Sequence, residues 1–310
     1  MIFVVTKFVL GLALLLVSTN YLIKIAKEIS SFFRISPLIV GFTLVAIGTS
    51  LPELAVSITS IAKQDPDLAL ANIVGSNIVN TLLVFPTGIL IGKMRIGTTK
   101  TQRNNLILLL ITAAFFYVFK NNISAITGGL TLISLSIVIS FVEYLFGING
   151  QKKEDSKKTY SKKKLKLSTL SILTLLLTIG LLIIASNTII EAVEQISYLT
   201  NISTTILGLT LTAIATSLPE LLTTIISQEK HQEKLTLGNV LGSNIYNLTL
   251  IGGIIILFSG KNITLVKEQY WLIGSTLILS FIIYHYRGKQ PPKIIALVLY
   301  LLFFVYLTNL

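Results

Sequence analysis

The chain has 310 residues, 53% of them hydrophobic and only 12% charged, with a mean hydropathy of +0.81. A soluble domain carries roughly twice that charge fraction, so a soluble globular protein is excluded. The net charge of +12 therefore points to loops facing an anionic membrane surface and not to nucleic acid, and the lack of cysteine rules out disulfides, thiol chemistry and cysteine metal sites.

Ten apolar segments are predicted, at about 3–26, 36–62, 68–91, 104–119, 123–146, 168–199, 203–227, 235–258, 268–286 and 292–309. A run of about 20 apolar residues crosses a bilayer, so the expected fold is an all-α polytopic membrane protein of about ten transmembrane helices. The first run is too long, and lacks the small-residue cleavage site, for a removed signal. The sixth is long enough to tilt. A charged stretch from Gln151 to Lys166 separates five segments from five. The predicted units are a first five-helix repeat at 1–150, a basic linker at 151–167 and a second five-helix repeat at 168–310.

Segments two and three carry polar groups that are costly in a bilayer. Gly41 to Leu54 reads GFTLVAIGTSLPEL, and Ala71 to Asn80 reads ANIVGSNIVN. Both stretches recur, as GLTLTAIATSLPEL from Gly208 to Leu221 and GNVLGSNIYN from Gly238 to Asn247. They match at 11 of 14 and 6 of 10 positions, at a constant offset of 167 residues. Such spacing marks an internal duplication. Five is odd, so the copies enter the membrane in opposite senses, the inverted-repeat plan of many secondary transporters. With the N-terminus outside, 20 of the 25 Lys and Arg residues fall on cytoplasmic loops: Lys24, Lys27 and Arg34; Lys93, Arg95, Lys100 and Arg103; eight lysines from Lys152 to Lys166; Lys230 and Lys234; and Arg287, Lys289 and Lys293. Lys7, Lys63, Lys120, Lys261 and Lys267 fall outside. This bias predicts that both termini are outside and the central loop is cytoplasmic. The expected location is the cell membrane of a prokaryote. The lysine run reads as an orientation signal and not as a ligand site.

Eleven of the thirteen acids lie in loops or near segment ends, Glu143 among them at the cytoplasmic end of segment five. Glu53 and Glu220 are the two at mid-membrane, and they are repeat partners. Pro52 cannot donate to the Gly48 carbonyl, nor Pro219 to that of Ala215, so nearby carbonyls are loosened. On a helix Ala46, Ser50 and Glu53 share a face, with Thr49 one turn before Glu53. The second copy offers Ala213, Thr216, Ser217 and Glu220. Asn72, Ser76 and Asn80 form a further polar face, repeated by Asn239, Ser243 and Asn247, with Gly75 and Gly242 allowing close packing. Two carboxylates ringed by neutral oxygens suit Ca2+ or Na+. They balance one divalent ion, and monovalent ions would use the same oxygens only in its absence. Such exclusive occupancy is the physical basis of antiport. Taken singly, each feature has a structural reading: a proline kinks, a Gly-Ser-Asn packs, and Asn72 or Asn239 bonds between helices. Their joint repetition outweighs those readings.

The segments Gly48-Thr49-Ser50-Leu51-Pro52-Glu53 and Ala215-Thr216-Ser217-Leu218-Pro219-Glu220, with the Gly-Ser-Asn faces at 75–77 and 242–244, resemble the two α-repeats of the cation/Ca2+ antiporter superfamily, especially its Na+/Ca2+ exchanger branch. The resemblance implies that Glu53 and Glu220 bind Ca2+ directly, with the carbonyls of Thr49 and Thr216. It implies Na+ sites from Ser50, Ser76, Ser217, Ser243 and the carbonyls of Ala46 and Ala213, with Asn80 and Asn247 central. It further implies that segments one and six slide across an eight-segment core. Relatives often carry an acid at one central position, and Asn at both argues against the K+-dependent branch.

The expected function is Na+/Ca2+ antiport by alternating access, electrogenic, with Ca2+ and Na+ as transported ions and no cofactor. A Ca2+/H+ antiporter using the same two glutamates is the alternative, and the four hydroxyls favour Na+. An intramembrane protease needs a nucleophile with its base, or paired aspartates at depth, and neither pattern occurs. A passive channel is disfavoured by a compact doubly negative site. The lipid bilayer is the expected partner, with no nucleic acid and no obligate protein partner.

Overall fold

The computed structural model describes residues 2–32, 41–62, 64–92, 94–96, 99–120, 123–155, 169–198, 204–259 and 268–310. Arg34, Lys63, Lys93, residues 156–168, Lys261 and Lys267 lie outside the described residues. Each predicted segment coincides with a helical element. These are α1 (Ile2–Phe32), α2a (Gly41–Thr49) with α2b (Leu51–Ala62), α3 (Pro66–Ile91), α4 (Thr99–Lys120) and α5 (Ala125–Asp155). The second set is α6 (Thr169–Tyr198), α7a (Gly208–Thr216) with α7b (Leu218–Glu229), α8 (Glu233–Ser259), α9 (Glu268–His285) and α10 (Lys293–Thr308). Helix α5 runs to Asp155, into the stretch read from sequence as linker, because nothing in Gly147–Asp155 breaks a helix except two glycines.

Helices two and seven are not continuous. The chain bends by 44° between α2a and α2b and by 43° between α7a and α7b. The breaks fall at Ser50 (φ −85, ψ 6) and Ser217 (φ −81, ψ 1). Pro52 and Pro219 each sit just inside the new helix, where a missing N–H costs nothing. Four five-residue π-helical turns accompany them, at Gly41–Val45, Asn80–Val84, Gly208–Thr212 and Asn247–Ile251. They fall at matching places in the two repeats, and such turns concentrate at functional sites. The links after α2b and α7b match as well. Gln64 (φ 61) and His231 (φ 55) both take the left-handed conformation, which closes a tight turn into α3 and α8. Asp65 and Pro66 then start α3, with the Asp65 carboxylate accepting from Leu68 N–H at 3.0 Å.

Helices α3 and α8 are the axis of the bundle, buried over 89% and 83% of their apolar windows against 39% or less for α1, α4, α5 and α6. Each packs against the broken helix of the other repeat. A Cβ on Gly75 of α3 would lie 2.8 Å from Ala213 Cβ and from the Leu209 carbonyl in α7a. On Gly242 of α8 it would meet Ala46 Cβ at 2.7 Å and overlap the Phe42 carbonyl in α2a. Phe42 and Leu209, and Ala46 and Ala213, are repeat partners, so the packing obeys a two-fold exchange. Helices α1 and α6 lie together against α2b and α7b. They share a separate small core, with Leu15, Leu22 and Ile23 against Leu182, Ala185 and Ile189. A Cβ on Gly11 would stand 2.9 Å from the Ile189 side chain and 3.2 Å from the Ala185 carbonyl, so glycine sets the approach of this pair. Lys7 pairs with Glu191, and Ser171 donates to Glu28 at 3.2 Å, tying both ends of α1 to α6.

Candidate ion-binding site

The two breaks bring Glu53 and Glu220, each at the third residue of a helix, into the centre of the bundle. Both are fully buried. Neither forms an ion pair among the described residues, whereas Glu143 meets Arg103 at 2.5 Å. Glu143 is therefore buried near a span end with its own cation, and Arg103 in turn stacks on Phe146 at 4.2 Å.

The surrounding oxygens come from both repeats. Thr49 Oγ1 donates to Asn239 Oδ1 at 3.1 Å, lies 3.3 Å from the Ala46 carbonyl and is 3.5 Å from Ser243 Oγ. Thr216 repeats this set with Asn72 Oδ1 at 3.3 Å, the Ala213 carbonyl at 3.3 Å and Ser76 Oγ at 3.2 Å. The carbonyls of Ala46 and Ala213 also accept from the N–H of Ser50 and Ser217, each at 3.0 Å.

The symmetry stops at the carboxylates. Glu220 Oε1 accepts from Ser50 Oγ at 3.3 Å and Ser243 Oγ at 3.1 Å. Around Glu53, Ser76 Oγ lies 3.2 Å from Thr216 Oγ1, and Ser217 Oγ has no partner among the described residues. Both oxygens of Glu53, and Oε2 of Glu220, are buried without a partner among the described residues. An unpaired buried acceptor costs about 1–3 kcal/mol, and more when charged, so a cation is the natural complement. No cluster of three or more His, Cys, Asp or Glu occurs among the described residues, so the donor set is carboxylate, hydroxyl, amide and carbonyl oxygen. That chemistry suits hard cations.

Asn80 and Asn247 open the π-helical turns of α3 and α8. The Asn80 amide has no partner among the described residues, and Asn247 Nδ2 donates to Asn77 Oδ1 at 3.0 Å. Asn77 Nδ2 reaches the Asn244 carbonyl at 3.0 Å, and Asn244 Nδ2 reaches Thr81 at 3.2 Å. Of this seam Asn247 was a site residue from sequence, while Asn77, Thr81 and Asn244 were not; Asn72 and Asn239, read from sequence as polar-face residues bonding between helices, orient the two threonines. The signal existed, since Asn72/Asn239 and Asn77/Asn244 are identical pairs in the duplication.

The family model described as sodium/calcium exchanger protein matches residues 3–144 and 170–310. The sodium/calcium exchanger MaX1 of Methanosarcina acetivorans is 30% identical over 346 residues, covering 96% of each chain. Inner membrane protein YrbG of Escherichia coli K12 is 27% identical over 310 residues, covering 97% of this chain and 95% of its own. Among solved structures, the sodium-calcium exchanger NCX_Mj soaked with 2.5 mM Na+ and 1 mM Sr2+ aligns with a TM-score of 0.80 at 26% identity, over 98% of both chains. Soaked with zero Na+ and Ca2+, the same exchanger aligns with a TM-score of 0.78 at 25% identity, over 99% of both chains. A buried two-carboxylate oxygen site, two broken helices and matches over nearly the whole length lead to one assignment: the chain is a cation/Ca2+ antiporter, a membrane transporter and not an enzyme, and belongs to the sodium/calcium exchanger family.

Proposed function

We propose that this antiporter exchanges Na+ for Ca2+ by alternating access and that the exchange is electrogenic. The observation that carries the reading is the pair of buried carboxylates with no basic partner among the described residues, set among neutral oxygens from both repeats. Glu53 and Glu220 coordinate Ca2+ with the carbonyls of Thr49 and Thr216. Na+ takes Ser50, Ser76, Ser217, Ser243 and the carbonyls of Ala46 and Ala213, between Asn80 and Asn247. The repeats occupy 1–150 and 168–310, joined by the basic stretch 151–167, and the small core shared by α1 and α6 supports their moving together against the other eight helices. The names of MaX1 and NCX_Mj support Na+ as the coupling ion.

The charge on the site fixes the electrical signature. Two ionised carboxylates bring −2, and the central asparagines add nothing. One Ca2+ or two Na+ neutralise the site, and a third Na+ leaves it at +1. With three Na+ per Ca2+, a net charge crosses, worth about 2.3 kcal/mol per 100 mV. Purified protein in Ca2+-loaded proteoliposomes is expected to release Ca2+ on addition of external Na+, at a rate that changes as valinomycin and K+ clamp the voltage at different values. Na+-dependent release that ignores voltage replaces this cycle with two Na+ per Ca2+. Release that ignores Na+ and follows an imposed pH gradient replaces Na+ with H+ at the same carboxylates. Release without any counter-ion gradient marks a channel.

Both termini are placed outside a prokaryotic cell membrane, with 151–167 cytoplasmic. Cysteine scanning tests this against no background, because the chain has none. Lys157→Cys should react with an impermeant thiol reagent only from the cytoplasm, and Lys120→Cys only from outside. Reaction of both from one side overturns the inverted arrangement.

A further inference from the structure

Beyond Glu220, α7b carries a line of polar side chains with no part in the ion site. Thr223, Thr224, Ser227 and Gln228 follow Glu220 at three, four, seven and eight residues, on one face. The first three are fully buried, and none of their hydroxyls has a partner among the described residues. Thr19, Ser57 and Ser217 share this state, but three such hydroxyls fall together on α7b. Thr87, Thr112, Thr178 and Thr249 all return their hydroxyls to the carbonyl four residues earlier, at 2.6–2.8 Å. The opposite face of α7b, with Leu218, Leu222 and Ile226, packs on the core shared by α1 and α6. The polar line instead faces the C-terminal half of α3. A Cβ on Gly88 would stand 3.3 Å from the methyl groups of Thr224 and Thr236.

The line ends at Gln228, which is 4% exposed. Its Nε2 donates to Thr236 Oγ1 of α8 at 3.0 Å, and its Oε1 has no partner among the described residues. The amide fills the hollow beside Gly92, where a Cβ would overlap it. One side chain therefore bridges α7b, α3 and α8 at the end of the bundle that carries Lys230.

The other repeat lacks this arrangement. At the offset of 167 residues, Val56 stands for Thr223, Ile61 for Gln228, Ala69 for Thr236 and Ile255 for Gly88. Four substitutions of the same sense fall on one end of the molecule. Duplication explains a polar line on both sides, but not why one is closed by an amide and the other by aliphatic side chains.

We propose that Thr223, Thr224 and Ser227 form the ion route between Glu220 and the Lys230 end, and that Gln228 is the gate that closes it. The hydroxyls replace part of an ion's hydration shell as it passes, and opening breaks the Gln228–Thr236 bond and exposes them to water. On the other side the shorter line of Ser57 and Ser60 opens by parting apolar surfaces. The assignment rests on the ion-exchange reading only in naming what passes.

The test uses full-length protein in oriented vesicles and a positively charged, membrane-impermeant methanethiosulfonate. Thr224→Cys is expected to react slowly from the Lys230 end, and at least about tenfold faster when Gln228→Ala is added. Thr236→Val, which leaves the amide in place but removes its acceptor, should accelerate it in the same sense and serves if Gln228→Ala does not fold. Ser57→Cys, at the matching place in the other repeat, should keep its rate. Thr224→Cys that reacts equally with and without Gln228, or only from the opposite end, overturns the route. Equal acceleration of Ser57→Cys overturns the gate, since it shows general loosening. The labelling pattern is independent of the coupling ion, so a pH-driven transporter with this pattern overturns the Na+ reading alone.

Discussion

Glu53→Gln and Glu220→Gln are each expected to lower Ca2+ transport per folded molecule by at least about 100-fold. Either change removes half of the charge that balances a divalent ion. At about 4 Å and an effective dielectric of about 20, one unit charge against another is worth roughly 4 kcal/mol, and a doubly charged ion loses more. Each 1.4 kcal/mol is a factor of ten in binding, so even partial compensation by water leaves a large deficit. The two variants should differ in kind. Glu220 Oε1 already accepts two serine hydroxyls, so an amide there also disturbs Ser50 and Ser243. Neither oxygen of Glu53 has a partner among the described residues, so Glu53→Gln chiefly changes charge. The control is Glu143→Gln, another buried glutamate. It weakens the pair with Arg103 and should reduce the folded yield, while flux per folded molecule stays near wild type. The measurement is radioactive Ca2+ uptake into proteoliposomes, normalised to the monodisperse fraction. Ordinary uptake by either site variant would falsify the assignment of the carboxylates.

Among the glycines of the described helices, Gly242→Ala is expected to be the most damaging single-methyl change. The added carbon would overlap the Phe42 carbonyl and stand 2.7 Å from Ala46 Cβ, so α8 and α2a must separate. Overpacking of this kind costs about 1–3 kcal/mol, and here the obstacle is backbone, which yields less than a side-chain tip. Gly75→Ala, facing the Leu209 carbonyl and Ala213 Cβ at 2.8 Å, should follow closely. Gly180→Ala and Gly274→Ala meet nothing within 4 Å and should be neutral or slightly stabilising, by up to about 1 kcal/mol from helix propensity. Thermal unfolding in detergent, read by loss of the monodisperse peak, gives the order directly. Equal melting of Gly242→Ala and Gly274→Ala would show that the repeats do not interlock through these glycines.

The legible parts of the fold were those written into local chemistry. Apolar length marked the spans, and the constant spacing of Pro-Glu and Gly-Ser-Asn pairs marked the repeat. The prolines also announced the broken helices, although a uniform helical face through Ala46, Ser50 and Glu53 understated the bend at Ser50. The π-helical turns were not legible. Two lie in α2a and α7a and two in α3 and α8, and no residue type at those positions demands them. The partners of Thr49 and Thr216 were hidden for a related reason. Asn239 and Asn72 lie 190 and 144 residues away in the chain, and only the two-fold exchange of packing brings them in reach. The unequal bonding of Glu53 and Glu220 was likewise invisible, because their sequence surroundings are nearly the same.

The interleaving of the repeats also sets a timetable for biogenesis. Asn77 bonds to the carbonyl of Asn244, which lies 167 residues further along the chain. At about 5–20 residues per second, a ribosome needs roughly 10–30 seconds to supply it. Until then α2a, α2b and α3 exist with Asn72 and Ser76 lacking the partner that Thr216 of α7a provides, and with Glu53 outside its enclosed site. A lone segment with that polarity is a poor guest in lipid. The early helices therefore wait beside the insertion machinery, or in a shallow, hydrated position, and reach their final depth only when the second repeat arrives. The nascent chain is most exposed to quality control during that interval, and slow elongation between the repeats prolongs it.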